Sequence, residues 1–147
     1  QYVHVLGGGT TRLDSVAPPG SPADIDVAPP APFAVTDTIR VPLGTIVGAR
    51  SGDKGGNANL GVFTRSAAAF DWLDGFLTVD ALGGLLPEVE AFEVERFRFP
   101  KIWSLNFVIH GLLQEGVAAS TRQDAQAKAL GEWLRARVVD VPVALLG

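Results

Sequence analysis

Residues 39–64 read IRVPLGTIVGARSGDKGGNANLGVFT, two apolar segments joined by a short polar one. Ile39 to Ala49 is rich in β-branched side chains, which favour extended chain. Ala58 to Thr64 has the length and composition of a second strand. Glycine and asparagine dominate the residues between them, as in tight turns. The segment therefore predicts two strands that pair antiparallel because they follow one another so closely.

The residues that join these strands, 50–59, combine charge with conformational freedom. Three glycines let the backbone reach positive φ, and successive bare N–H groups form anion-binding concavities. Arg50 and Lys54 add positive charge to such a concavity. The alternative is an ordinary polar hairpin turn, and the spacing excludes a phosphate-binding P-loop. The candidate ligand-binding residues here are Arg50, Ser51, Asp53, Lys54, Gly55, Gly56, Asn57 and Asn59.

Three helical segments are predicted after the second strand. Ser66 is placed to cap the first, and Thr78 starts a shorter one that Gly83, Gly84 and Pro87 are expected to end. Thr121–Asp124 matches a capping box ahead of a long final helix. The apolar face of that helix comprises Ala127, Leu130, Trp133, Leu134 and Val138.

Three further strands complete the predicted fold. Phe92 to Phe99 and Ile102 to Ile109 alternate in strand fashion, and Val141 to Leu146 is expected to form a fifth, edge strand. The charged residues of the first of these are expected to form weak cross-strand ion pairs: Glu93, Glu95, Arg96 and Arg98. The order of elements predicts an α+β fold, a two-layer sandwich in which helices cover one face of an antiparallel sheet.

Strand alternation groups polar side chains on the sheet face away from the helices. Asn106 and His110 lie on the same side of one strand, and Asn57 and Asn59 lie together on another. If the two strands are neighbours, these four side chains converge beside Lys54. The alternative is that the asparagines bond loop backbone and His110 occupies a solvated strand end.

Composition excludes several classes of function. Hydrophobic residues make up 47% of the 147 residues, enough for a core, and the net charge of −4 argues against nucleic-acid binding. The absence of cysteine and the presence of only two histidines exclude thiolate and histidine-rich metal sites, and we expect no metal and no cofactor. No apolar run is long enough to span a bilayer, so we expect no membrane partner and a cytoplasmic location.

The chain divides into three parts by composition. Residues 1–15 open with a strand-like segment at Tyr2 to Leu6, which we expect to end a preceding domain. Residues 16–36 hold most of the prolines and predict an extended linker. Residues 37–147 form the predicted folded domain. Because the chain also lacks methionine, we expect it to be the C-terminal part of a longer protein.

Three blocks of the sequence resemble the acyclic terpene utilisation protein A (AtuA) family. They are ARSGDKGGNANLGV at residues 49–62, LNFVIHGLL at residues 105–113 and EGVAASTRQDAQAKALGEWLR at residues 115–135. The resemblance covers roughly residues 36–143. It implies a C-terminal ferredoxin-like domain and a larger N-terminal domain as a partner. It also implies a role in bacterial breakdown of acyclic terpenes and branched acyl-CoAs.

Two functions of different classes follow from these observations. In the first, the glycine-rich segment binds an acyl-CoA or a carboxylate. Lyase or hydratase chemistry there would use His110 or Asp53 as base, and Asn106 or loop amides as oxyanion donors. In the second, the domain is a non-catalytic assembly module that docks to the N-terminal domain or to a partner subunit. We also expect a homo-oligomer. The resemblance brings no established catalytic residues.

Overall fold

The computed structural model describes residues 2–4, 10–12 and 37–147, and the predicted linker at residues 16–36 lies outside the described residues. The strands are β1 (Tyr2–His4), β2 (Thr10–Arg12), β3 (Thr38–Pro42), β4 (Val47–Lys54), β5 (Asn57–Thr64), β6 (Val94–Phe99), β7 (Ser104–Ile109) and β8 (Val138–Pro142). The helices are α1 (Ala67–Phe76), α2 (Val79–Leu85) and α3 (Leu130–Ala136). Short 3-10 turns occupy Leu43–Thr45, Pro87–Val89, Pro100–Ile102 and Val143–Leu145. β1 and β2 pair antiparallel with one another, so the strand predicted at Tyr2 to Leu6 is confirmed over its described part.

The main sheet has four antiparallel strands in the order β4-β5-β7-β6. The predicted hairpin is confirmed, with pairs running from Val47 opposite Thr64 to Lys54 opposite Asn57. Its turn is shorter than predicted because the ladder extends through the polar residues on both sides. Only Gly55 and Gly56 remain outside the two strands.

The single strand predicted over Ile39 to Ala49 is wrong, because the chain breaks after Pro42. A 3-10 turn follows, and its first residue, Leu43, is fully buried and donates its N–H to the Arg137 carbonyl at 2.8 Å. The part before the break, β3, pairs with β8 in a separate two-stranded sheet. The last strand was therefore predicted in the wrong sheet, and it begins earlier than expected, at Val138.

The first two helices begin where their caps predict. The Ser66 hydroxyl accepts the N–H of Ala69 at 3.2 Å, and the Thr78 hydroxyl accepts that of Ala81 at 3.1 Å. The predicted stop is wrong for Gly83 and Gly84, since α2 runs through both glycines to Leu85, but the helix ends before Pro87 as predicted. The N–H of Leu86 completes the last turn by donating to the Leu82 carbonyl.

The final helix is shorter than predicted, and the capping box before it is wrong. Asp124 accepts the N–H groups of Lys128 at 2.8 Å and Ala129 at 2.9 Å, so it closes a turn and does not cap a helix. Ala127 has φ of 52°, which a right-handed helix does not permit. The helix begins only at Leu130, and the predicted face residue Val138 belongs to β8.

The topology is that of a ferredoxin-like fold, in agreement with the predicted α+β class. β5 and β6 are parallel, the segment containing α1 and α2 connects them, and β7 lies between them as an antiparallel strand. β4 occupies the fourth position beside β5. The core lies between the sheet and the helices, and Leu60, Leu73, Phe107 and Leu134 are fully buried in it. Within the described residues, no helix is long and apolar enough to cross a membrane.

The predicted cross-strand ion pairs of β6 are also wrong for its arginines. Arg96 and Arg98 lie on the helix side of the sheet and both bind the carboxylate of Asp74 in α1, whose side chain is 2% exposed. Arg96 also donates to the backbone carbonyls of Asp74 at 2.7 Å and Leu77 at 3.0 Å. The cluster therefore joins the end of α1 to the edge of the sheet.

Candidate functional site

The main sheet has one face under the helices and one face away from them, which we call the open face. Burial alternates strictly along β7, where Leu105, Phe107 and Ile109 are buried and the residues between them are partly exposed. The same alternation runs along β5. The open face consists of Gly48, Arg50, Gly52 and Lys54 on β4, Asn57, Asn59, Gly61 and Phe63 on β5, Ser104, Asn106 and Val108 on β7, and Glu95, Phe97 and Phe99 on β6.

Two of the predicted site residues, Asn59 and Asn106, form a reciprocal amide pair near the centre of the open face. The Asn59 amide donates to the Asn106 oxygen at 2.9 Å, and the Asn106 amide donates back at 3.0 Å. Gly61 lies beside the pair, and a Cβ there would approach the Asn106 oxygen to 3.8 Å. Each amide keeps one N–H and one oxygen lone pair for another partner.

The other two polar residues of this cluster make separate contacts. The Asn57 side-chain oxygen accepts the backbone N–H of Gly111 at 2.9 Å. His110 Nε2 lies 2.9 Å from Glu95 Oε2, and both side chains are well exposed. The cluster therefore consists of three separate polar contacts, in which His110 has a carboxylate partner.

The glycine turn packs against the segment that follows β7. The Gly56 carbonyl accepts the N–H of Leu113 at 2.9 Å, and a Cβ on Gly56 would lie 2.3 Å from the Gln114 carbonyl oxygen. Gly116 approaches the turn as well, with a Cβ position 3.4 Å from the Gly55 oxygen. One side of the turn is thus in contact with the protein's own backbone.

Ser51 and Asp53 lie on the helix side of β4 by strand alternation. The Ser51 hydroxyl donates to the Lys128 carbonyl at 3.1 Å and accepts the N–H of Gly131 at 3.0 Å. Gly131 packs directly on β4, since a Cβ there would lie 3.4 Å from Ala49 and from the Arg50 nitrogen. Ser51 therefore fixes the start of α3 against the sheet.

The outer side of β4 is concave and positively charged. A depression of about 260 Å³ is lined by Arg50, Ser51, Gly52, Asp53, Lys54, Asn59 and Lys128. The Lys128 ammonium lies 4.0 Å from the Cβ position of Gly52. Sequence reasoning missed Lys128, because only the tertiary fold brings the turn before α3 to β4.

A larger cavity adjoins the depression at the other end of β4. Its volume is about 650 Å³, and its lining includes Arg50, Phe63, Arg65, Arg135 and Leu145. Arg135 is held by Glu132 of the same helix at 2.9 Å. Arg50 lines both concave regions, so they adjoin along β4, and we call the two regions together the groove. Within the described part of the chain, no His, Asp and Glu side chains are grouped as metal ligands.

Three aromatic side chains stand on the open face at the end opposite the glycine turn. Phe63, Phe97 and Phe99 are 42%, 43% and 46% exposed. Sequence reasoning did not identify them as surface residues. The signal was present in β6, where Phe97 and Phe99 alternate with two arginines, but alternation alone does not say which set faces the helices.

Comparison with known protein families identifies the domain. The AtuA ferredoxin-like domain matches residues 41–140, more than half of the chain. Comparison with curated proteins and with solved structures gives no significant match. The match includes β4, β5, β6, β7 and α3, and therefore both the groove and the open face. The chain belongs to the AtuA ferredoxin-like domain family.

Proposed function

We propose that this domain binds an anionic ligand, an acyl-CoA or a related carboxylate, along the outer side of β4. In this proposal it is a domain or subunit of an AtuA-like protein that takes part in the breakdown of acyclic terpenes and branched acyl-CoAs. The ligand's charged groups contact Arg50, Lys54 and Lys128. The glycine turn shapes the end of the groove, and Asn59 offers its unused amide N–H.

One observation carries the proposal: these three cations make no ion pair with any residue that the structure describes. They line one depression, although the chain as a whole is acidic. Grouped cations repel one another, so an arrangement of this kind favours an anion between them.

The position of β4 supports an elongated ligand. Among the strands that the structure describes, β4 is terminal in the main sheet, so its outer N–H and C=O groups have no ladder partner within the described residues. The pantetheine arm of coenzyme A carries amides that can pair with such groups. The adjoining cavity of about 650 Å³ lies within the size range of small-molecule sites and has apolar residues for an acyl chain.

Replacing Lys54 by alanine tests the charged end of the groove. A charge-assisted contact is worth about 1.5–3 kcal/mol, so we expect roughly 10- to 150-fold weaker binding of CoA by calorimetric titration. Lys128→Ala is expected to act in the same direction. Because Lys54 is exposed and has no ion-pair partner in the described part of the chain, the free energy of unfolding should change by less than about 0.5 kcal/mol.

Lys101→Ala is the matched control, since Lys101 is an exposed lysine in the turn between β6 and β7, far from β4 in the sheet order. It should bind CoA as the unsubstituted protein does. Equal affinities for Lys54→Ala, Lys128→Ala and Lys101→Ala would reject the groove as the site.

A second candidate function is a non-catalytic assembly module. The exposed aromatic side chains of the open face favour it, because contiguous exposed apolar surface marks sites of protein association. This function needs no ligand, so an unchanged assembly state of Lys128→Ala, whose site lies outside the open face, after loss of CoA binding would separate the two.

A further inference from the structure

The open face has an apolar end that nothing in the described structure covers. Phe63 and Phe99 lie in one row across the sheet with Ser104 between them, and Phe97 lies in the next row. Ile102 and Trp103, in the turn at the same end, are 68% and 40% exposed. Large apolar side chains on one solvated sheet face are unusual, since such faces are normally polar.

Charge on the open face is divided between its two edges. The cations Arg50 and Lys54 belong to β4, and the carboxylate Glu95 belongs to β6. Glu93 is an exposed residue just before β6, and alternation extended from the strand puts it on the same face. A two-fold axis parallel to the strands, between β5 and β7, would place β4 of one copy over β6 of another. Each cationic edge would then face a carboxylate edge, and the apolar ends would meet. The face is therefore complementary to itself.

We propose that the open face binds the open face of a second copy of this chain, forming a two-fold symmetric sheet-on-sheet dimer. In this arrangement Lys54 faces Glu93 of the second copy. Phe97 packs beside Arg50 of the second copy, a cation over an aromatic ring. The contact is isologous, because the same surface serves on both sides.

The small residues of the open face fit this arrangement. Gly48 carries no side chain, and the ring of Phe63 fills its place, since a Cβ there would lie 2.3 Å from that ring. Phe99 of the second copy then meets Phe63 in an aromatic contact. Asn106 lies opposite Gly61 of the second copy, so the two amide pairs meet near the axis, where their unused groups can bond.

The usual rotation between packed sheets shifts the ends of the strands most. Aligned sheets pack at an angle of about 30°, and the end rows of β4 lie about 12 Å from the centre of the face. The rotation therefore displaces the end rows by about 6 Å, close to the roughly 6.6 Å between rows, so it leaves the cationic edge over the carboxylate edge without fixing atom-to-atom pairs there. The face measures only about 19 Å by 23 Å, so the interface is small and we expect a dissociation constant of about 1–100 μM.

Sedimentation equilibrium of the chain, without ligand, tests the dimer directly. We expect a concentration-dependent monomer–dimer equilibrium. Phe97→Lys brings a second cation to Arg50 and should weaken the dimer more than about tenfold. Trp133→Lys is the matched control, because Trp133 is a similarly exposed aromatic residue on α3, away from the open face, and it should leave the dimer unchanged. A chain that stays monomeric up to about 1 mM would overturn the proposal.

Charge variants test the two-fold arrangement without altering the aromatic residues. Lys54→Glu and Glu93→Lys should each weaken the homodimer by about threefold to tenfold, because like charges then face each other twice. Mixed together, the two variants should pair at least as well as the unsubstituted chain, since both contacts become attractive. Asp71→Lys, on the exposed side of α1, should have no effect.

The outcome separates this proposal from ligand binding. The two-fold arrangement is wrong if Lys54→Glu and Glu93→Lys each dimerise as the unsubstituted chain does, or if mixing them does not restore dimerisation. The occupant of the open face would then be another protein. The measurements contain no CoA, so failure of the groove to bind a ligand would not alter them.

Discussion

Two adjacent glycines in the β4–β5 turn are required for different physical reasons. Gly55 has φ of +64° with nothing within 4 Å of its Cβ position, so it is needed for backbone conformation alone. Gly56 has no positive φ, but its Cβ position lies 2.3 Å from the Gln114 carbonyl oxygen. Gly56 is therefore needed for close approach of the chain.

Replacing Gly55 and Gly56 by alanine, one at a time, tests the two requirements separately. Gly55→Ala should cost about 1–2 kcal/mol of unfolding free energy, the usual cost of a left-handed residue. Gly56→Ala should cost more, about 2–3 kcal/mol, because the segment after β7 must move. Denaturant unfolding measures both, and Gly55→Asn, which tolerates positive φ, should lose less than Gly55→Ala. A larger loss for Gly55→Ala than for Gly56→Ala would contradict this account.

At the scale of elements, a buried carboxylate joins α1 to β6. Arg98 Nε lies 2.9 Å from both Asp74 oxygens, and Arg96 Nη2 lies 2.6 Å from one of them. Arg96 also satisfies carbonyls at the end of α1, which have no partner within the helix. The arginines are 17% and 25% exposed, so they keep part of their hydration while Asp74 keeps almost none.

Removing this carboxylate should destabilise the domain strongly. Breaking a buried ion pair from one side costs about 3–5 kcal/mol, and the partial hydration of the arginines places Asp74→Ala near the lower value, about 3 kcal/mol. Asp71→Ala, on the exposed side of the same helix, should change the unfolding free energy by less than about 0.5 kcal/mol. Urea unfolding of both variants checks the difference, and similar losses would show that the cluster contributes little.

At the scale of the whole molecule, the Asp74 cluster links stability to pH. Burial opposes ionisation and raises the pKa of the Asp74 carboxyl, but hydrogen bonds from Arg98 and Arg96 outweigh burial and lower that pKa below its usual value. The folded state therefore binds the proton more weakly than the unfolded state does. The resulting stabilisation is present above the unfolded pKa of about 3.9 and is lost as the pH falls through the folded pKa.

Comparison with Asp74→Asn isolates this contribution. The difference in unfolding free energy between the two proteins should be largest and constant above about pH 5, and it should shrink below about pH 4. Denaturant unfolding between pH 3 and pH 7 measures it. A difference that is independent of pH would mean that the carboxylate is not the source of the stabilisation.

Much of the fold was predictable because the sequence patterns that specify its helices and strands act between residues close together in the chain. The caps at Ser66 and Thr78 act over three residues, and both were confirmed. The glycines inside α2 wrongly predicted the end of that helix. Glycine weakens a helix, but the packing of the fully buried Leu82 and of the chain around it stabilises this one. The candidate site was predictable only in part. Alternation put Asn59 and Asn106 on one face, but it could not identify Lys128, which lines the depression beside β4 together with Asn59.

Sequence is enough to specify the hairpin, the α+β class and the residues that share each strand face, because these depend on periodicity and on contacts between near neighbours in the chain. Long-range packing sets the pairing of β8 with β3, the start of α3 at Leu130 and the binding of Asp74 to two arginines of β6. Each of these depends on groups that meet only after folding. The Ser51 hydroxyl and the Lys128 carbonyl are 77 residues apart in the chain and 3.1 Å apart in the structure.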